Sequence, residues 1–206
     1  MVTVIATTTV GILSFLPGIG LLFYYFLRKQ VGKMPVVGIL LLMIVVTVQL
    51  YWFSVFVLTR FFYIAQVHDL RMFPSLQPGE FVLVQKRNAF VVRSSVQRGD
   101  VVDVADPEDT SEHLLVRVIG LPGEHIAMTD GIVSIEGDPL IEYRYIVQKI
   151  HPDSVLANWG DRLVPFDGYY VMNDYRTLPS DSRQFGSVSY QNIVGKVLMC
   201  YWNCDR

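Results

Sequence analysis

Two long runs without a single charge dominate the N-terminal third of this chain. No Asp, Glu, Lys, Arg or His occurs from Met1 to Leu27, and no Asp, Glu, Lys, Arg or His from Met34 to Thr59. Each run exceeds the ~20 apolar residues that a helix needs to cross a bilayer. Buried helices of soluble proteins rarely run this far uncharged, so the pattern predicts two transmembrane helices. A cleaved signal peptide fits the first run poorly: no basic residue precedes it, it is too long, and no small-x-small cleavage site ends it. Pro17, Gly18 and Gly20 predict a kink in the first helix, which neighbouring groups in a membrane tolerate.

Arg28, Lys29 and Lys33 gather in the short loop between the runs. The positive-inside rule is strongest for such loops and places residues 28–33 in the cytoplasm. The expected topology is a two-pass protein of the inner (cytoplasmic) membrane, with the N-terminus and the C-terminal domain outside, periplasmic or extracytoplasmic. Phe61, Phe62, Tyr63 and Ile64 continue the apolar character past Arg60 and read as interfacial anchors. The anchor is therefore expected over residues 1–64 and the exported domain over 65–206. All 19 acidic residues follow Thr59, with 14 of the 17 basic ones, so the exported part carries a net −5. With no basic stripe, nucleic acid is excluded as a partner; membrane lipids are the first partner the sequence implies. Cys200 and Cys204 lie on the exported side, where either a small disulfide loop or two free thiols fits. Two cysteines and scattered histidines predict no metal site, and no cofactor is implied.

From Pro74 onward the pattern becomes short apolar runs of period two, separated by turn residues. Strands are predicted at Phe81–Val84, Phe90–Arg93, Val101–Val104, Leu114–Ile119, Ile126–Met128, Ile132–Ile135, Ile141–Ile146, Tyr169–Met172 and Ile193–Tyr201. Asp130-Gly131 between two of them is a strong hairpin signal. No amphipathic helix of useful length follows Thr59. The fold class is thus two N-terminal transmembrane helices followed by an all-β, mostly antiparallel exported domain.

Four stretches in order carry a resemblance. Met72-Phe73-Pro74-Ser75-Leu76 with Gly79-Glu80 is similar to Ser-Met-x-Pro-Thr-Leu…Gly-Asp; Arg98-Gly99-Asp100-Val101-Val102 is the second stretch. Arg117-Val118-Ile119-Gly120-Leu121-Pro122-Gly123-Glu124 is similar to Lys-Arg-x-x-Gly-x-Pro-Gly-Asp. Asn173-Asp174-Tyr175-Arg176 with Ser180-Asp181-Ser182-Arg183-Gln184-Phe185-Gly186 is similar to Gly-Asp-Asn-Arg…Ser-x-Asp-Ser-Arg-x-x-Gly. Together, behind such an anchor, they resemble the type I signal peptidases (the S26 family, bacterial leader peptidase-like), over essentially the whole chain. The resemblance implies a signal-peptidase-like β domain and a role in protein processing and secretion.

The catalytic residues do not carry across. The resemblance puts the nucleophilic serine at Arg71, which has no hydroxyl and stays protonated. It puts the general-base lysine at Val116, which accepts no proton. The hydroxyl residue that helps form the oxyanion hole corresponds to Asp69, whose charge opposes the one that develops there. The serine that supports the lysine corresponds to Pro179. Ser75 with His113 or His125 is the alternative nucleophile and base, though Ser75 stands at a position whose family role is structural. On a strand, His113 and Val116 face opposite ways. Lys149 and His151 read as surface. Asp174, Arg176, Asp181 and Arg183 are dense enough for an ion-pair cluster that braces the catalytic strand, and Gly120, Pro122 and Gly123 make a tight turn.

Three functions fit. A pseudoenzyme would bind exported peptides by β-augmentation, with Met72, Phe73, Pro74, Ser75, Leu114 and Val116 as the candidate groove and Arg71 as a cation where the nucleophile stood. A subunit of a larger membrane complex would pack its helices on a membrane-protein partner through small residues such as Thr7, Thr8, Thr9 and Gly11. An active peptidase would need a rebuilt site. The topology itself is testable: a cysteine introduced into loop 28–33 should resist labelling by an impermeant reagent in intact cells, and labelling from outside reverses the assignment.

Overall fold

The computed structural model describes residues 25, 36–87, 96–106, 112–142, 145–146, 154, 156–178 and 180–204. The predicted first helix (apart from Tyr25), loop 28–33, the Phe90–Arg93 strand, Lys149, His151 and Pro179 lie outside them. The chain divides into two compact units, 1–61 and 62–206.

In the first unit, helix α1 (Val36–Phe61) is long and apolar enough over Met43–Phe61 to cross a bilayer. Ile44, Leu50 and Tyr51 are exposed on it. Its two threonine hydroxyls are satisfied within the helix, as suits a hydrocarbon environment: Thr47 donates to Ile44 O (2.8 Å) and Thr59 to Val55 O (2.9 Å). Among the described residues this is the one such helix.

The second unit begins directly after Phe61. Phe62, Tyr63 and Ile64, assigned from the sequence to the anchor, instead open strand β1 (Phe62–Gln66), where Phe62 pairs with Gln85 and Ile64 with Leu83. Apolar residues alone do not distinguish a helix end from a strand; the ladder does. The other strands are β2 (Phe81–Lys86), β3 (Val101–Ala105), β4 (His113–Gly120), β5 (His125–Thr129), β6 (Ile132–Ile135), β7 (Asp138–Pro139), β8 (Trp159–Leu163), β9 (Gly168–Met172), β10 (Val188–Ser189) and β11 (Ile193–Trp202). A seven-stranded sheet runs β1-β2-β11-β3-β4-β9-β10 and a four-stranded sheet runs β7-β6-β5-β8. Every pairing is antiparallel. Helical structure among the described residues of this unit is confined to α2 (Ser182–Phe185) and a 3₁₀ turn at Tyr190–Asn192.

The β5–β6 hairpin turns on Asp130 (φ 51°) and Gly131 (φ 76°), the paired positive angles of a type I′ turn. At Gly195 on β11 a Cβ would lie 2.6 Å from Gln85 O, so only glycine lets β2 and β11 approach there. Strand burial places Val102, Val104, Leu114, Val116, Val118 and Val171 in one apolar cluster, while Val82 and Val84 of β2 join Met72 and Leu76 of the preceding turn in another.

A strand was expected over Ile141–Ile146; its described residues, 141–142 and 145–146, form no ladder. Tyr145 and Ile146 N–H groups both turn back to Glu142 O, at 3.2 and 3.1 Å. A specific ion pair overrides the local β pattern here. The Glu142 carboxylate is buried against Arg176 Nη1 (3.1 Å) and Nη2, and the turn is what brings it there.

Two outcomes follow from this packing. Burial raises the Tyr63 phenol well above its ordinary value, with the Asp103 carboxylate adding to the effect, and pushes Tyr145 and Tyr170 up to about 12. The folded state therefore holds these protons after the unfolded chain has lost them, and the stability they confer, complete below the ordinary value of 10.0, is lost as pH rises toward 12. The thermal midpoint should fall above pH 10, with tyrosinate absorbance lagging that of free tyrosine until unfolding. Glu142→Ala should strand the buried Arg176 charge at a cost of ~3 kcal/mol, read as a lowered denaturation midpoint of the full chain in detergent.

Candidate functional site

The segment bearing Arg71 is a tight turn between β1 and β2, closed by Phe73 N–H to Leu70 O (3.0 Å) and Leu76 N–H to Met72 O (2.8 Å). Its ends are fixed by Val67 N–H to Glu80 O and Gly79 N–H to Val67 O, both 2.8 Å. The buried Glu80 carboxylate accepts the Gln77 N–H at 3.0 Å. Those contacts account for the Gly79-Glu80 that ends the first stretch.

Asp69 folds back on Arg71. One carboxylate oxygen accepts the Arg71 backbone N–H (3.0 Å) and the other pairs with its Nε (2.8 Å). Arg71 Nη1 is buried with no hydrogen-bond partner. The Arg71 carbonyl accepts the Tyr175 N–H at 2.9 Å, and the Phe73 ring meets Tyr175 edge-on, centroids 6.4 Å apart. The first stretch is thereby tied to the fourth.

Strand β4 presents its residues alternately. Val116 is fully buried beside its register partner Val102 in the valine-rich cluster. Arg117 points the other way. Its Nε donates to Asp174 at 2.7 Å and Nη2 completes a bidentate pair. Nη1 reaches Gly99 O (2.7 Å), Nη2 also reaches Ser75 Oγ (3.0 Å), and the guanidinium lies 4.4 Å from the centroid of the Tyr145 ring. Arg98 of the second stretch in turn donates to Ile119 O and pairs with Glu124, while the Glu124 carboxylate also accepts Leu121 N–H at 2.7 Å. Gly123, at φ 84°, takes the left-handed angle that this turn requires.

The four residues expected as one ion-pair cluster, Asp174, Arg176, Asp181 and Arg183, are all buried but do not all pair with one another. Asp181 pairs with Arg183 (2.8 Å to Nε) and accepts Asn173 N–H (3.0 Å); Arg183 Nη1 and Nη2 donate to Arg176 O and Leu178 O, each at 2.6 Å. Asp174 pairs with Arg117, and Arg176 pairs with Glu142. Sequence reasoning missed Glu142. A signal was present: Arg117, Arg176 and Arg183 outnumber Asp174 and Asp181, so one more carboxylate is needed if all are buried.

The candidate groove residues divide by exposure. Phe73 and Ser75 are exposed and Pro74 is half-buried, while Met72, Leu114 and Val116 belong to the core and offer a ligand no surface. Ser75 Oγ is engaged by Arg117. His113 Nδ1 lies 3.0 Å from the buried Asp103, which the Tyr63 phenol also meets and whose pKa burial raises. His125 Nδ1 lies 2.6 Å from Asp161, whose hydrogen bond and charge raise the imidazole pKa. Both imidazoles are thus oriented by carboxylates other than any near Ser75.

The family description "Signal peptidase, peptidase S26" matches residues 37–202 of this chain. It is 34% identical over 143 residues to a signal peptidase I of Leptolyngbya laminosa, covering 66% of either chain. Against a signal peptidase I of Bacillus caldolyticus it is 30% identical over 167 residues, covering 77% of this chain and 85% of the relative. A crystal structure of a signal peptidase I from Enterococcus faecalis V583 is 28% identical, covers 50% of this chain and 96% of its own, and has a TM-score of 0.40. With the four stretches interlocked around Arg117 and the family match spanning helix α1 and the β unit alike, this chain belongs to the signal peptidase family, peptidase S26.

Proposed function

We propose that this protein is a membrane-anchored signal peptidase I-like pseudoenzyme that binds exported peptides or a membrane partner without cutting them. The observation that carries the reading is the Asp69–Arg71 pair. At the position of the family's nucleophile stands a guanidinium, and the backbone N–H of that residue, the kind of donor an oxyanion hole is built from, is already given to the Asp69 carboxylate. At the position of the family's base stands Val116, sealed in an apolar cluster. The buried scaffold around Arg117 keeps its hydrogen bonds, which favours a retained binding role over decay.

Apolar, exposed α1 supports membrane anchoring, and we extend this to the two-pass arrangement with loop 28–33 in the cytoplasm and the β unit outside. The Cys200–Cys204 disulfide supports an oxidising side for the β unit. A second reading, a structural subunit of a larger membrane complex, is favoured by the same exposed α1 side chains, which suit a partner helix as well as lipid.

Preprotein cleavage in detergent tests the reading. The unmodified chain should not cut. Arg71→Ser alone supplies a nucleophile without a base, and Val116→Lys alone supplies a base with nothing to deprotonate. The lysine would enter an apolar environment that lowers its pKa, as a base requires, so the double variant should cut weakly. Asp69→Ser added to it should help further, because one oxyanion donor is worth ~10²–10³ in rate. Robust cutting by the unmodified chain, abolished by Ser75→Ala and indifferent to Arg71→Ala, would favour a live enzyme with a displaced nucleophile instead.

A further inference from the structure

Strand β11 outruns one of its neighbours. It pairs with β3 at Ile193, Gly195 and Lys196, whereas on the β2 side the ladder continues to Trp202. Among the described residues, 197–202 therefore keep one edge without a ladder. Cys200 and Cys204 close a disulfide across the end of this segment, their Cα atoms 6.1 Å apart. Both cysteines are half-buried, and Tyr201, Trp202 and Asn203 between them are exposed. A cross-link between residues only four apart constrains the unfolded chain little compared with one that closes a long loop. Its consequence is local, and it lies near enough to the surface for an external thiol to reach it.

What the cross-link steadies is the base of the turn between β1 and β2. Cys200 pairs with Val82 and Trp202 with Phe81, the first residues of β2, and the register shifts between the two pairs. Such a bulge bends a strand and leaves its extra residue, here Tyr201, outside the ladder. Asn203 follows at φ 59°, a left-handed angle that asparagine tolerates better than most side chains. Its side-chain nitrogen lies 3.7 Å from the point where Gly79 would carry a Cβ. Gly79 N–H donates to Val67 O and Val67 N–H to Glu80 O, so the turn bearing Arg71, Phe73 and Ser75 is closed at this point. The geometry points to a thiol–disulfide exchange site at Cys200–Cys204, which takes an external dithiol and, once opened, loosens the base of that turn. A thiolate of the dithiol attacks one cystine sulfur; the S–S bond breaks, and the other cysteine leaves as a thiolate and takes up a proton. The second thiolate of the dithiol then attacks the mixed disulfide and releases the remaining cysteine, which is protonated in turn. Two electrons and two protons thereby pass from the dithiol to the cystine, and the dithiol becomes a disulfide.

The test uses the full chain in detergent with dithiothreitol as the dithiol, and it needs no peptide. Alkylation of free thiols followed by mass spectrometry reads the opening of the cystine, and hydrogen–deuterium exchange reads the backbone. Dithiothreitol should open the cystine without denaturant and leave the circular dichroism spectrum unchanged. Amide exchange in peptides covering Val67 and Gly79 should then rise about tenfold, while the β5–β6 hairpin stays as it was and reoxidation restores the slow exchange. The double variant Cys200→Ser, Cys204→Ser should exchange fast with or without dithiothreitol; if it does not fold, reduction and reoxidation of the unmodified chain carry the test. Asn203→Gly, which keeps the left-handed angle and removes the side chain, should speed exchange at Gly79 with the cystine closed. Free thiols in the untreated chain, a cystine that opens only in denaturant, or unchanged exchange at Val67 and Gly79 after opening each overturn the inference, as does an Asn203→Gly chain that exchanges like the unmodified one. A rise spread evenly over the β unit also overturns it, because the cystine would then hold the whole fold and not the turn.

Discussion

The Arg117 guanidinium is the one group on which the rest of the β unit depends. It belongs to the third of the sequence stretches that mark the family and touches the other three: Ser75 in the first, Gly99 in the second and Asp174 in the fourth. A planar cation with five donors suits this task, because each donor has a fixed direction and together they set the position of several chain segments. A lysine at 117 could satisfy one or two of these acceptors and would leave the others buried and unpaired.

Around that hub the buried charges are arranged as separate pairs. Arg183–Asp181 fixes the loop leading to α2, Arg176–Glu142 fixes the turn that replaces an expected strand, and Arg117–Asp174 joins β4 to the residues after β9. Buried pairs add little net stability, because desolvation offsets much of the Coulomb gain. Their consequence is positional: removing one partner is costly, so each pair holds its backbone segments in one geometry. This geometry ties down the 69–75 turn through Ser75 Oγ, which accepts from Arg117, and the Arg71 carbonyl, which accepts the Tyr175 N–H.

Much of the β unit was legible in the sequence. Val101–Val104, Leu114–Ile119 and Tyr169–Met172 alternate or run apolar because both their faces meet the core, and Asp130-Gly131 specifies its own turn. Other elements were not. β8 is largely exposed, so Trp159-Gly160-Asp161-Arg162-Leu163 shows no apolar alternation. β1 looked like a continued helix because its residues are apolar and follow a helix directly. β10 is two residues long and has no period to detect. Glu142 was hidden inside an apolar, aromatic stretch whose local preference is extended, and its pairing with Arg176 wins because a buried arginine without a carboxylate is far costlier than a lost strand.

The sequence by itself determined the uncharged runs, the order of the family's four stretches, and the residue types at positions 69, 71, 116 and 179, because these depend only on covalent identity and spacing. Only the tertiary structure decided which acid pairs with which arginine, that Met72, Leu114 and Val116 are buried rather than available to a peptide, and that Arg71 keeps one nitrogen unpaired beneath the surface. The physical reason is that charge pairing and burial are settled between residues distant in sequence. Asp174 lies 57 positions from Arg117 and Glu142 lies 34 from Arg176, separations at which no local pattern can say which partner the folded chain will bring near.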